Sequence, residues 1–159
     1  METERKFLIL RECANDLYRL DAEPFEIEQN YVSVGKTEER FRRCGEAYFH
    51  TIKKVTENPL TREETETPCL REDFEKNLPR RNGDVILKER HVFSLNNLKI
   101  EIDFYKGRLK GLVVGEVEFA GDKEAGGFLP PFFFGKEITT DKRYLNQNLA
   151  LNGLPEDDF

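Results

Sequence analysis

The sequence has no tryptophan, one methionine, two histidines and three cysteines among its 159 residues. His50 and His91 are too few and too isolated to form a histidine metal site, and we expect both on strand surfaces. Cys13, Cys44 and Cys69 are odd in number and widely spaced, which matches neither a disulfide framework nor a zinc motif. We therefore expect three reduced structural thiols.

Long hydrophobic runs are also missing. No apolar stretch approaches the roughly 18 residues that a membrane-spanning helix needs. Residues 1–6 are charged and have no apolar segment of the kind found in signal peptides. The sequence therefore predicts no membrane partner and a cytoplasmic location.

An excess of positive charge is absent as well, because 25 basic residues face 31 acidic ones, for a net charge of −6. Such a molecule repels nucleic acid as a whole, so we expect no nucleic-acid partner. Any anion site must then be a local concentration of basic side chains. The chain is long enough to bury one core, and we expect a single domain over residues 1–159.

What the sequence does contain is alternation of apolar and polar residues with period two, which is typical of strands with two unlike faces. Asn96-Asn97 and Lys106-Gly107 stand between strand pairs at tight-turn positions and predict hairpins. The pattern predicts a mainly β (α+β) fold, with eight short strands in a closed antiparallel barrel or a sandwich. We expect strands near 2–9, 26–34, 37–43, 47–55, 62–68, 85–94, 98–105 and 111–119, and helices near 11–18, 71–78, 122–129 and 141–151.

Charges of one sign repeat at alternate positions on these predicted strands, as in Arg40 and Arg42. A single pair of this kind is typical of a solvated face. Like charges side by side on a strand repel, however, and seven such stripes in a small domain indicate that the charged faces converge on an interior. The other stripes contain Glu2, Glu4 and Lys6, then Lys53, Glu64 and Glu66, Lys88 and Arg90, Glu101 and Asp103, and Glu116 and Glu118.

The two signs of charge favour different partners. Carboxylates gathered inside a barrel can hold Mg²⁺ or Mn²⁺, which prefer oxygen ligands. Arginine and lysine can bind phosphate oxygens, arginine through its bidentate fork. Unpaired buried charges cost several kcal/mol each, so one ligand must satisfy both sets. A complex of metal ions with a polyphosphate fits, and a barrel of about eight strands has room for one small ligand.

These motifs, taken in order, resemble the CYTH superfamily, the triphosphate tunnel metalloenzymes. Glu2-Thr3-Glu4-Arg5-Lys6 matches the N-terminal ExExK signature of that family. The resemblance runs from residue 2 to about residue 155, and it implies a single CYTH domain: an eight-stranded antiparallel tunnel with a polar interior and helices packed outside. The other matching segments are 39–42, 51–53, 62–66, 88–90, 101–104, 116–119 and 137–150.

The resemblance also implies roles for particular residues. The ligands of Mg²⁺ or Mn²⁺ would be Glu2, Glu4, Glu116 and Glu118. The phosphates would be bound by Lys6, Arg40, Arg42, Lys53, Lys88 and Arg90. Glu64 and Asp103 would be further catalytic acids at the metal or the attacking water. Arg143, counted with both the catalytic and the substrate-binding residues, would close one mouth of the tunnel.

The activity that the resemblance implies is metal-dependent hydrolysis of a triphosphate by in-line attack of water. The lack of tryptophan for base stacking favours inorganic tripolyphosphate as the substrate. A class IV-type adenylyl cyclase, a thiamine or nucleoside triphosphatase acting on thiamine triphosphate or ATP, and a non-catalytic polyphosphate-binding module stay open. The oligomeric state also stays open, with a homodimer among the alternatives.

Overall fold

The structure, a computed structural model, describes residues 2–20, 23–58 and 61–156. Within these ranges the chain forms nine strands and four α-helices, joined in places by short 3-10 helices. The strands are β1 (Glu2–Ile9), β2 (Phe25–Ser33), β3 (Thr37–Cys44), β4 (Ala47–Val55), β5 (Thr61–Cys69), β6 (Ile86–Leu95), β7 (Leu98–Tyr105), β8 (Val113–Phe119) and β9 (Phe134–Glu137). The helices are α1 (Arg11–Leu20), α2 (Arg71–Asn77), α3 (Asp122–Gly126) and α4 (Asn146–Asn152).

The strands form one antiparallel sheet in the order β5-β4-β3-β2-β6-β7-β8-β1-β9, and β5 also pairs with β1. That pairing joins Glu2 to Arg62 and Thr3 to Thr61, and it closes the first eight strands into a barrel. The hydroxyls of Thr3 and Thr61 lie 2.9 Å apart across this seam. The predicted eight-stranded antiparallel barrel is confirmed, with β9 as an additional strand along β1.

Apolar side chains pack on both faces of the barrel. On the outer face, Phe7 and Ile9 of β1 pack in a cluster with Leu17 of α1 and Ala125 of α3. On the inner face, residues such as Ile86 cluster with the C-terminal segment, in which Tyr144, Leu149 and Ala150 are almost fully buried. The C-terminal segment therefore contributes apolar packing to the interior, next to the charged side chains described below.

The observed strand bounds lie within two residues of the predicted ones, but the elements after Phe119 differ. β9 was not predicted, because its four residues are too short to show alternation. Helix α4 begins at Asn146 rather than at 141, since Asp141 instead accepts a hydrogen bond from the backbone N–H of Arg143 and begins a 3-10 helix, Lys142–Tyr144. Helix α3 ends at Gly126, followed by a second glycine.

Histidine and cysteine positions can also be compared with expectation. His91 is fully buried between the rings of Tyr18 and Phe104, so its predicted place on a strand surface is wrong. His50 is partly exposed and stacks on Phe41. The three cysteines are free thiols. No helix in the described ranges is long and apolar enough to cross a membrane.

Candidate active site

A cavity of about 310 Å³ lies inside the barrel, and charged side chains form most of its wall. Because side chains alternate between the two faces of a strand, each same-sign stripe presents its members together on this wall. Most of the predicted site residues meet here: Glu4, Lys6, Arg40, Arg42, Lys53, Glu64, Lys88, Arg90, Glu116 and Glu118.

Two predicted residues are placed differently, and the side chain of a third is not described. Asp103 is buried beside the cavity wall, where it binds Lys88 and Arg90. Arg143 is not brought to the cavity, because its guanidinium binds Asp141 at 2.7 Å on the surface, where its side chain is 41% exposed. The side chain of Glu2 lies outside the described part of the chain, although its backbone belongs to β1.

One wall of the cavity, formed by β6 and β7, is tightly ion-paired. Arg90 donates two hydrogen bonds to Asp103, with Nε to Oδ1 at 2.7 Å and Nη2 to Oδ2 at 2.9 Å, and also lies 2.6 Å from Glu101. Lys88 Nζ is 2.8 Å from Asp103 Oδ2. Burial opposes ionisation of Asp103, but the charges of Arg90 and Lys88 outweigh it and hold the pKa of that carboxyl well below its usual range. Burial lowers the pKa of Lys88 to about 8 despite the attraction of Asp103.

The rest of the cavity wall, on β1, β3, β4, β5 and β8, includes looser pairs. Arg40 Nη2 lies 3.8 Å from Glu64 Oε1, and Lys53 Nζ lies 3.9 Å from the same oxygen. Lys6 Nζ is 3.9 Å from Glu116 Oε2. These separations exceed hydrogen-bond lengths, so the pairs attract through charge without a direct bond between the atoms concerned. Side chains on this wall can bind a ligand without first breaking a close ion pair at those contacts.

Arg40 and Arg42 occupy one face of β3 and are only partly satisfied by protein groups. The Nε atom of each is buried and has no hydrogen-bond partner among the described residues. Arg42 Nη2 donates to Glu66 at 2.8 Å, and Thr51 donates to the same oxygen of Glu66 at 2.8 Å. Burial and the nearby charge of Arg40 lower the pKa of Arg42, which shows that positive charge is concentrated there. An anion between the two guanidinium groups would relieve this repulsion.

Glu4 and Glu116 form the acidic counterpart. In the β1–β8 register Glu4 lies opposite Glu118, and Lys6 lies opposite Glu116. Glu4 is buried, and its Oε2 has no hydrogen-bond partner among the described residues, while Oε1 lies 3.6 Å from Arg62 Nη2. Burial and the neighbouring Glu4 carboxylate raise the pKa of Glu116. Two carboxylates that disfavour each other's charge are a suitable pair for a cation.

This donor set fits a magnesium or manganese ion that the substrate helps to bind. Within the described residues, no group of three or more His, Cys, Asp or Glu side chains could hold a metal ion by itself. Mg²⁺ is commonly bound by one or two carboxylates together with water and substrate phosphates. A pair of all-oxygen ligands beside a row of phosphate-binding cations meets that requirement.

Sequence reasoning left several cavity residues out of the predicted site. Glu38 stands two positions before Arg40, and Arg62 two positions before Glu64, so each lies on the same strand face as a predicted residue. Both have the opposite charge to that residue, and a search for charges of one sign therefore did not include them. Glu66 and Glu101 were recognised as stripe members without being given a role. The cavity is also lined by the uncharged residues Tyr31 and Asn146, which a search for repeated charges does not detect.

A second pocket of about 170 Å³ adjoins the first and shares Glu38, Lys53 and Arg62 with it. Its remaining wall is less charged and includes Val55 and Thr140. The charged cavity therefore lies next to a second pocket with fewer charged residues in its wall.

Comparison with known proteins agrees with this geometry. Over 154 residues the chain is 35% identical to an inorganic triphosphatase of Nitrosomonas europaea, and the alignment covers 95% of this chain and 97% of that protein. The chain belongs to the CYTH superfamily. Models of protein families gave no match. An inorganic triphosphatase of Acetivibrio thermocellus is 28% identical to this CYTH chain over 162 residues, which cover 95% of this chain and 94% of the relative.

Solved structures give the same result for this CYTH protein. The crystal structure of an inorganic triphosphatase is 33% identical to it, with a TM-score of 0.66 and coverage of 98% of this chain and 97% of the other. A protein of Pyrococcus horikoshii shares the fold at 19% identity, with a TM-score of 0.63 and coverage of 99% and 93%.

Proposed function

We propose that this CYTH protein is a metal-dependent triphosphatase that hydrolyses inorganic tripolyphosphate and releases phosphate. One observation carries the proposal: a buried arginine pair with unmet hydrogen-bond donors and a buried carboxylate with an unmet acceptor line the same cavity. A polyphosphate bound with a divalent cation satisfies both. Two relatives named inorganic triphosphatases align over nearly the whole chain and support the same substrate.

The basic residues of the cavity bind the phosphate oxygens in this proposal. Arg40 and Arg42 lie on one strand face, so two guanidinium groups can bind one anion from the same side. Lys88 and Arg90, fixed by Asp103, provide further cations on β6. Glu4 and Glu116 hold Mg²⁺ or Mn²⁺, with Glu118 and Glu2 as the further acidic residues expected nearby. When bound, the ion neutralises phosphate charge and lowers the pKa of water.

We assign separate roles to Asp103, Glu64 and Lys88. Both oxygens of Asp103 are engaged by cations, so we assign it the positioning of Lys88 and Arg90 rather than proton transfer. Glu64 lines the cavity at 3.8–3.9 Å from its two cations and keeps oxygens able to orient an attacking water. Lys88, held 2.8 Å from Asp103, binds phosphate oxygens as an ammonium group. Arg143, on the surface, receives no role in binding.

The neighbouring 170 Å³ pocket favours a second candidate substrate, an organic triphosphate such as ATP or thiamine triphosphate. Its less charged wall suits the organic group of a phosphate ester whose triphosphate occupies the main cavity. Filling the pocket with Thr140→Trp would then lower hydrolysis of the esters and leave tripolyphosphate hydrolysis unchanged. Equal losses on both substrates would exclude this use of the pocket.

The deciding experiment measures phosphate release from tripolyphosphate, ATP and thiamine triphosphate with Mg²⁺, with Mn²⁺ and with EDTA. Preference for tripolyphosphate with loss of activity in EDTA is the expected result. Cyclic AMP as the product from ATP would identify a cyclase, and binding without turnover would identify a polyphosphate-binding module. A reducing, cytoplasmic location remains part of the proposal, in keeping with three free cysteines.

A further inference from the structure

Asn146 is the one cavity residue named above that comes from a helix. It is the first residue of α4, and its side chain lines the cavity among charged neighbours. The start of this helix is fixed by its own first hydrogen bonds and by one bond to a neighbouring loop. The carbonyl of Leu145 accepts hydrogen bonds from the N–H groups of Asn148 and Leu149, each at 2.9 Å. The side chain of Gln147 accepts a hydrogen bond from Gly35 N at 2.8 Å and so joins α4 to the β2–β3 loop.

The orientation of the Asn146 amide is set by Tyr105. The hydroxyl of Tyr105 donates a 2.5 Å hydrogen bond to Asn146 Oδ1. Tyr105 is buried, and burial together with the nearby Asp103 charge raises the pKa of its hydroxyl well above the ordinary value, so it remains a donor. Because the amide oxygen accepts this bond, the NH₂ group of Asn146 is the part left to serve the cavity.

The same tyrosine touches the charged wall. Its ring centroid lies 5.4 Å from Lys88 Nζ, so one buried side chain contacts a phosphate-binding lysine and orients the amide. The Asn146 amide differs from the surrounding lysine and arginine side chains because it is uncharged. It can donate a hydrogen bond without adding a further buried positive charge that would need a partner. A phosphate oxygen, being ionised, is a strong acceptor for such a donor.

We propose that Asn146 is a substrate-positioning residue whose NH₂ group donates a hydrogen bond to a phosphate oxygen of tripolyphosphate, and that Tyr105 holds the amide in that orientation. This inference rests on the proposed function. It deepens that function by adding a neutral, hydrogen-bonding contact to a site that otherwise recognises its substrate by charge.

The test compares Tyr105→Phe with the double variant Tyr105→Phe/Asn146→Leu. Replacing both partners of the internal hydrogen bond by apolar groups of similar shape leaves no buried polar atom unpaired, so the double variant keeps the fold. Relative to the wild type, the double variant lacks the substrate contact, while Tyr105→Phe keeps the amide but loses the bond that orients it. We expect the double variant to raise KM for tripolyphosphate and the dissociation constant in titration calorimetry about tenfold to hundredfold over the wild type, the range for a hydrogen bond to a charged group, and Tyr105→Phe to raise them by no more than that. We expect kcat to change less than KM.

Asn152→Leu is the matched control, because Asn152 lies on the same helix and is exposed away from the cavity. It should bind tripolyphosphate as the wild type does. A double variant that binds tripolyphosphate as tightly as the wild type would overturn the assignment of Asn146 while leaving the proposed function intact. A wild-type protein that neither binds nor hydrolyses tripolyphosphate would overturn the proposed function and, with it, this assignment.

Discussion

Arg90 and Asp103 face each other across the neighbouring strands β6 and β7 and form a two-point ion pair, with nitrogen–oxygen distances of 2.7 and 2.9 Å. Lys88 shares the carboxylate of this pair. On the other wall, Arg40 and Lys53 lie 3.8 and 3.9 Å from their common acid, Glu64. The cavity therefore combines a tightly paired group of charges on β6 and β7 with longer charge pairs at Glu64.

This contrast predicts unequal costs for removing an acid. Asp103→Asn removes the carboxylate that pairs with two buried cations, of which Arg90 keeps Glu101, and should lower the free energy of unfolding by about 3 kcal/mol. Glu64→Gln breaks only long, partly solvated pairs and should cost about 1 kcal/mol or less. Urea unfolding followed by circular dichroism measures both. Equal losses would contradict the division into a tight and a loose wall.

A second prediction concerns the arginine pair. Arg42→Ala should weaken tripolyphosphate binding by about 2–5 kcal/mol, the range for removing one partner of a buried charge pair. Arg42→Lys should restore part of the loss, because lysine keeps the charge but not the bidentate fork. Arg43→Ala is the control, since Arg43 binds Glu26 and Glu28 on the opposite face of β3. Titration calorimetry that found Arg42→Ala and Arg43→Ala equally weakened would argue against inward binding by Arg42.

Metal dependence gives a third prediction. Glu4→Gln removes a buried carboxylate that raises the pKa of Glu116, so the ligand-free protein should not lose stability. The same change should abolish Mn²⁺ binding in the presence of tripolyphosphate, because one oxygen ligand loses its charge. Electron paramagnetic resonance of Mn²⁺ measures the bound fraction. The exposed residue Glu12 provides a control, Glu12→Gln, which should bind the ion normally. Retention of full activity in excess EDTA would refute the metal proposal altogether.

The pKa of Lys88 predicts how substrate affinity changes with pH. Burial lowers this pKa to about 8, so the ammonium form is lost as the pH rises through that value. The anionic substrate binds the charged form better, and affinity for tripolyphosphate should fall between about pH 7 and about pH 9. Lys88→Arg stays charged over this range. Comparison of the two proteins by calorimetry cancels the ionisation of tripolyphosphate itself, and identical pH profiles would rule out Lys88 as the titrating group.

A fifth prediction links the two halves of the site. Tripolyphosphate and Mg²⁺ together should raise the melting temperature by more than the sum of their separate effects, since each provides ligands for the other. At a concentration about 100 times Kd, binding to the native state adds about 2.7 kcal/mol, or roughly 5–11 °C for a domain of this size. Scanning fluorimetry of the four conditions tests this. A merely additive shift would place metal and phosphate in separate sites.

Much of the barrel was predictable because each long strand carries its own alternation. The hairpin turn at Asn96 and Asn97, both of which adopt positive φ, follows a known local preference. The C-terminal region was less predictable, because its conformation depends on tertiary contacts. Ile138 donates its backbone N–H to the carbonyl of Lys6, a contact 132 positions away along the chain that local sequence does not reveal.

The composition of the cavity followed from charge patterning, but its internal pairing did not. The alternation of apolar and charged residues predicts that Lys88, Arg90 and Asp103 lie on inward strand faces. It does not predict which acid binds which cation. Strand register decides this by setting Arg90 opposite Asp103. Arg143 shows the limit of reasoning from a motif, since its position in the motif matches while its guanidinium binds the nearby Asp141.

The closing seam between β1 and β5 has a consequence for how the protein folds. Among the described residues only two register pairs, Glu2 with Arg62 and Thr3 with Thr61, join strands that begin 59 positions apart in the chain. Contacts of such long sequence separation form late, because the loop entropy must be overcome before they stabilise the chain. The Glu4–Arg62 contact spans this seam, so the acidic part of the cavity is completed only when the barrel shuts. A chain whose sheet is still open at this seam therefore lacks the Glu4–Arg62 contact, and the wall of the cavity is complete only in the closed barrel.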